Sequence, residues 1–216
     1  FPPDALGKLQ AFGQVEVADM LPRLHASLRA VAARRLRSFA AKPFALLACK
    51  FDTVMLIDAN ALFFRPPDAL LELASLRATG VQLFTDYIQA YHTIDPWAIS
   101  GYLGGSSADL AAYSAITQGA EIDSSIVIVD KGRAWRYLHV VCALNWWKAV
   151  LDRHTWGDKD TWALAAVVVA SGGRGAQFAG STGSHVGWLA RRSDGGSATT
   201  GGVSMRAAAG PPVWGH

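Results

Sequence analysis

The chain has 216 residues, 51% of them hydrophobic and only 17% charged, which fits one folded domain with a sizeable core and is not the composition of an intrinsically disordered chain. Its 20 Lys and Arg against 17 Asp and Glu leave a net charge of +3, which suits a phosphate-bearing small molecule and argues against a nucleic-acid partner. The longest apolar run, Trp162 to Ala170, is far short of the ~18 residues a membrane span needs.

In chain order, Val15 to Asp19 reads as a short strand. Pro22 opens a helix whose apolar positions Leu24, Leu28, Val31, Ala32 and Leu36 recur at helical spacing. Arg34, Arg35 and Arg37 make its solvated basic face. Pro43 restarts a second helix over Phe44 to Cys49, and Val54 to Ile57 is a continuous apolar strand. Leu70, Leu71, Leu73, Ala74 and Leu76 predict a helix ending near Gly80, followed by a strand from Val81 to Thr85 that Asp86 closes. Residues 87 to 119 read as an irregular connection with a short helix near Ala108 to Ile116. A third buried strand spans Ile126 to Val129. A long helix follows from about Ala134 to Leu151, then an apolar helix from Thr161 to Ala170. Residues 1–190 are expected to be the domain, and 191–216 a flexible Gly-, Ser- and Ala-rich tail. Strands alternating with helices predict an α/β sandwich with a mostly parallel sheet. Cys49 and Cys142, both in apolar surroundings, are expected to be buried free thiols.

The chemistry concentrates where Val54 to Ile57 delivers Asp58, Ala59 and Asn60 between two apolar runs. An acid at the carboxyl end of a buried strand is where open α/β sheets place ligand chemistry. Oxygen-bearing side chains at i and i+2 of an extended chain share a face and can reach one hard cation, Mn²⁺ or Mg²⁺. The bland alternative is a cap at Asp58 and a turn at Asn60. His185, in a Gly-rich stretch, can complete a set of metal ligands. Asp158 lies at a helix start, where it either caps the helix or faces a reacting sugar as the catalytic carboxylate. Lys42, just before a helix start, is the basic candidate for a diphosphate. Tyr87, Trp156, Trp162 and Trp188 are aromatic residues that either stack on sugar or pack the core. Asn60 rules out the paired-acid pattern of haloacid-dehalogenase phosphatases. Gly101-Tyr102-Leu103-Gly104-Gly105 does not supply a dinucleotide-binding loop.

Four blocks together resemble the fungal-type Golgi α-1,3-mannosyltransferase family, nucleotide-sugar enzymes of the GT-A fold. They are Lys42 to Ala48 with Lys50-Phe51, Val54 to Asn60, Ser124 to Lys131 (SSIVIVDK), and Gly157-Asp158-Lys159 with Trp162 together with His185 to Trp188. The resemblance spans roughly residues 40 to 190. It implies a GT-A α/β domain that here lacks its first strand, and a metal-dependent retaining transferase that moves mannose from GDP-mannose to a glycan acceptor. It also implies a Golgi lumenal setting, as a type II membrane protein whose anchor lies outside this chain. Carried over by position, Asp58, Asn60 and His185 hold Mn²⁺. Lys42, Asp86, Ser124 and Ser125 bind the donor, and Asp158 sits beside the acceptor. Asn60 replaces the second acid of the family's metal motif, and Ser125 replaces a glycine. The alternatives are a transferase using a UDP-sugar and a non-catalytic glycan-binding protein on a decayed transferase domain.

Overall fold

The computed structural model describes residues 3–11, 13, 15–64, 66–85, 107–117, 121–147, 157–171, 187–190, 201–206 and 212–215. Two compact units divide at Arg37 and Ser38.

The first unit, residues 1–37, holds helix α1 (Pro3–Gln10), a single 3-10 turn at Leu21–Arg23 and helix α2 (Ala26–Arg35). The Nδ1 of His25 caps α2 by accepting from the Ser27 amide. That bond satisfies one of the amides a helix start leaves unpaired. Residues 15–19 form no strand, contrary to the expectation for Val15 to Asp19. Every one of them is exposed, so no sheet neighbour pairs their backbone and no core holds their alternation. Arg34, Arg35 and Arg37 are exposed, as expected of a solvated face.

The second unit is built on strand β1 (Thr53–Ile57), strand β3 (Val81–Thr85) and strand β4 (Ile122–Asp130), in the order β1-β4-β3. Both pairings are antiparallel, from Thr53 against Asp130 to Ile57 against Ile126, and from Val81 against Val129 to Thr85 against Ile122. The mostly parallel sheet expected from the sequence is therefore corrected. The run Ile126 to Val129 is apolar throughout because β4 is the central strand and both its faces are covered. Coverage on two faces erases the usual in–out alternation whichever way the neighbours run.

On one face, Val127 and Val129 meet Val81, Leu83, Leu46, Leu138, Val141 and Trp162. The helices there are α3 (Lys42–Ala48), α5 (Ser107–Thr117), α6 (Lys131–Trp146) and α7 (Lys159–Ser171). On the other face, Ile126 and Ile128 meet Phe84, Leu70 and Leu76. These leucines come from a 3-10 segment at Pro67–Glu72 and helix α4 (Ala74–Thr79), which together replace the single helix expected there. Gly80 ends α4 at φ 79°, in the left-handed region that suits a glycine cap.

A second sheet joins strand β2 (Leu62–Phe63) to strands β5 (Gly187–Ala190), β6 (Gly201–Arg206) and β7 (Pro212–Gly215), in the order β2-β7-β6-β5, all antiparallel. Two of these strands fall within the segment read as a tail. Both cysteines are free thiols. Cys142 is buried, and burial pushes its thiol up to about 12, whereas Cys49 is only half-buried. Among the described residues no helix is long and apolar enough to cross a membrane.

Candidate active site

The site forms where the end of β1, the head of β4 and the starts of α3 and α7 converge. The pairing of β1 with β4 does the positioning. The Asp58 amide donates to the Ser125 carbonyl at 2.8 Å, which continues the ladder one residue past β1. The chain then turns, with the Ala61 amide donating to the Asp58 carbonyl at 3.0 Å. Asn60 is exposed within that turn. The extended i, i+2 alternation expected for Asp58 and Asn60 thus stops at Ile57. Both side chains sit on one tight turn instead of on one strand face.

Lys42 gathers the site. Its Nζ lies 2.8 Å from Asp58 Oδ1 and 3.0 Å from Oδ2. It also donates to the Ser124 carbonyl at 3.1 Å and to Ser124 Oγ at 3.2 Å, and stands 3.7 Å from Asp158 Oδ1. One ammonium therefore faces two carboxylates brought from positions 58 and 158. The Lys42 side chain is only 13% exposed and that of Asp158 only 2%, against 26% for Asp58. Charges so placed are screened little by salt.

Asp158 does not cap α7 with its side chain. Its backbone carbonyl serves that turn, accepting from the Thr161 amide at 3.1 Å and the Thr161 hydroxyl at 2.5 Å. Asn145 on α6 fixes that hydroxyl through an amide donor at 2.9 Å. The carboxylate is left for the site: Ser124 Oγ donates to Oδ1 at 3.1 Å and Trp162 Nε1 donates to Oδ2 at 2.9 Å. Burial raises the Asp158 carboxyl above the ordinary range, while Lys42, Trp162 and Ser124 pull in the opposite direction by stabilising its anion. Sequence reasoning named Trp162 only as a sugar platform or core residue. The i, i+4 spacing from Asp158 across a helix start was the available signal for its actual contact.

A second acidic group lies behind the first. Tyr113 donates to Asp160 at 3.2 Å, and Glu121 pairs with Lys159 at 3.8 Å. Burial, reinforced by the Glu121 charge, pushes the Asp160 carboxyl up to about 7. Nothing in the sequence marks Asp160 as buried, because adjacency to Lys159 says nothing about depth. Asp123, also buried, accepts from the Ser125 amide at 2.8 Å and the Ser125 hydroxyl at 2.7 Å. The Ser125 side chain is thereby turned to Asp123.

Of the predicted site residues, the structure brings together Lys42, Asp58, Ser124 and Asp158, with Ser125 and Asn60 adjoining through backbone and turn. Asp86 and His185 lie outside the described residues, as do Tyr87 and Trp156 and the side chain of Trp188. Among the described residues there is no cluster of three or more His, Cys, Asp or Glu residues fit to hold a metal ion.

An α/β domain that anchors one lysine between two carboxylates at the end of a strand has charged and hydrogen-bonding groups suited to a polar substrate. The family model described as "Mannosyltransferase putative" matches residues 13–186. The chain belongs to this family, and it is accordingly a glycosyltransferase whose activity is the transfer of mannose to a glycan acceptor from a sugar donor. No curated protein matches the chain.

Proposed function

We propose that the chain transfers mannose from GDP-mannose to a glycan with retention, at the site around Asp58 and Asp158, and that it uses Mn²⁺ or Mg²⁺. The observation that carries this reading is the convergence of Asp58, Ser124 and Asp158 on the single ammonium of Lys42.

The donor set suits a hard divalent cation. Asp58, whose side chain is 26% exposed, and the exposed Asn60 lie on one turn, and each carries a side-chain oxygen. A carboxylate offers about four lone-pair positions, so Lys42 does not exhaust Asp58. Asp58 and Asn60, with His185, would hold the ion. Bound there, it offsets negative charge on the nucleoside diphosphate as that group leaves.

The chain's own residues supply the rest. Lys42 already spends its protons on Asp58 and Ser124, so it reaches a phosphate by exchanging one of these partners. Asp158, held by Ser124 and Trp162, keeps a fixed carboxylate to accept a hydrogen bond from the acceptor hydroxyl. In a retaining transfer the bond from the anomeric carbon to the phosphate oxygen breaks and a bond to the acceptor oxygen forms on the same face. The departing phosphate takes the acceptor's proton, so no dedicated base is required. Asp86, Ser124 and Ser125 complete the donor site in this reading, Ser125 by holding the Asp58 backbone through its carbonyl while Asp123 takes its amide and hydroxyl.

The test is transfer from labelled GDP-mannose to a mannoside acceptor. Asp58→Ala should lower turnover by at least ~10²-fold, the size expected for a lost charge-stabilising group. Chelation should abolish transfer and added Mn²⁺ restore it. Near-normal turnover in the variant, or indifference to chelator, would refute the assignment.

A further inference from the structure

Phe39 lies in a 3-10 turn, Ser38–Ala41, immediately before α3. The residue is 51% exposed. It is nonetheless not a stray surface residue, because two unusual backbone positions place it beside the site. Ser38 has φ 57°, the one positive value on a non-glycine residue among the described residues. That conformation is costly for an L-residue and persists only where its surroundings demand it. Gly157, directly before Asp158, has φ 65°, and a Cβ there would stand 3.2 Å from Phe39 Cδ2 and 3.5 Å from Cγ. The glycine thus serves both the turn that presents Asp158 and the close approach of the ring. On its other contact, the ring centroid lies 5.3 Å from Lys42 Nζ.

We propose that Phe39 is the aromatic wall of the sugar subsite, with a hexose ring stacking on its open surface beside Asp158. The proposal rests on the mannosyl-transfer reading above. A pyranose presents C–H groups on one face, and their weak positive charge suits the negative face of an aromatic ring. The hydroxyls of the same sugar, at its rim, then lie near the charges of Lys42, whose Nζ is 5.3 Å from the ring centroid, and of Asp158, which directly follows Gly157. A purely apolar partner would gain nothing from those two charges. The hexose can be that of the donor or that of the acceptor, since both meet at this point during transfer.

The test compares Phe39→Ala, Phe39→Leu and Phe39→Trp in steady-state transfer, with donor and acceptor varied separately, and with GDP affinity measured by calorimetry. In Phe39→Ala the KM for one sugar substrate should rise roughly three- to tenfold, the scale of a lost aromatic stack, while kcat stays within about twofold. Phe39→Leu should show the same loss, since it keeps apolar bulk but no π face, and Phe39→Trp should keep the wild-type KM. Thermal unfolding should change little in all three, because Phe39 is already about half exposed. A rise in the donor KM alone assigns the stack to the donor hexose, and a rise in the acceptor KM alone assigns it to the acceptor. Unchanged KM values in an active Phe39→Ala enzyme overturn the proposal and leave the mannosyl-transfer reading intact. A matching fall in affinity for GDP itself also overturns it, because the ring would then stack on the base. If the wild-type protein neither binds nor transfers a sugar, the reading of the site and this proposal fall together.

Discussion

Replacing Lys42 by Met tests the electrostatic organisation of the site without requiring any activity. Methionine keeps much of the apolar stem but removes the ammonium that faces Asp58 and Asp158. The buried member of that trio is Asp158, whose side chain is 2% exposed. Breaking a buried charge pair costs about 3–5 kcal/mol because the remaining charge is stranded. Here Trp162 and Ser124 still donate to the carboxylate, and the lysine is partly wet, so the lower end applies, about 3 kcal/mol. The loss must depend on pH. Burial already raises the Asp158 carboxyl in the folded state above its ordinary 3.8, against the pull of Lys42. For a raised carboxyl, stability is fully present below the unfolded value and falls as pH climbs through the folded one. Without Lys42 the folded value climbs further, so the fall extends to higher pH. Urea unfolding, followed by tryptophan fluorescence, should therefore show a deficit of about 1 kcal/mol near pH 4, from lost hydrogen bonds alone. The deficit should grow to about 3 kcal/mol by pH 8. Adding Asp158→Asn to the variant should remove most of the pH dependence. A deficit that is flat from pH 4 to 8, or below about 1 kcal/mol at pH 8, would show that the lysine does not hold this carboxylate.

Three further outcomes follow from neighbouring contacts. Trp162→Phe deletes the Nε1 donor to Asp158 and should cost about 2 kcal/mol in urea unfolding, with an unchanged midpoint counting against a role for that bond. Gly80→Ala places a Cβ 2.7 Å from Arg133 Cβ at φ 79° and should cost at least about 1 kcal/mol by thermal melt, whereas a wild-type melt would contradict the left-handed cap. Asp160, pushed from 3.8 up to about 7, should make the wild-type protein lose stability as pH rises through that window, by up to about 4 kcal/mol at about 1.4 per unit. Asp160→Asn should flatten that decline, and an equal slope in the variant would place the titration elsewhere.

Local chemistry was legible where a residue carries its own geometric rule. Gly80 marked the end of α4, and the run from Val81 to Thr85 marked a strand. Asp58 stood out because an acid between two apolar runs has to face something other than open water. The strand expected at Val15 to Asp19 failed because alternation is a promise of burial, and no core is there to redeem it. Helix boundaries moved by a few residues, α6 starting at Lys131 where Ala134 was expected and α7 at Lys159 where Thr161 was expected.

The sequence by itself determined which residues carry charge and oxygen at strand and helix ends, and so it picked out Lys42, Asp58 and Asp158 one at a time, with Ser124 entering only through the family resemblance. Only the tertiary structure decided that they meet. Positions 42 and 58 are joined to 124 and 158 by antiparallel pairing of β1 with β4 and by packing of α7 on that sheet. Strand direction leaves no trace in a chain segment buried on both faces, so the parallel expectation had nothing local to correct it. Depth was equally invisible. Asp158 and Lys159 are adjacent in the chain, yet one carboxylate is enclosed by Trp162 and Ser124 while the neighbouring ammonium is about one-third exposed, because burial depends on what folds over a residue and not on what precedes it.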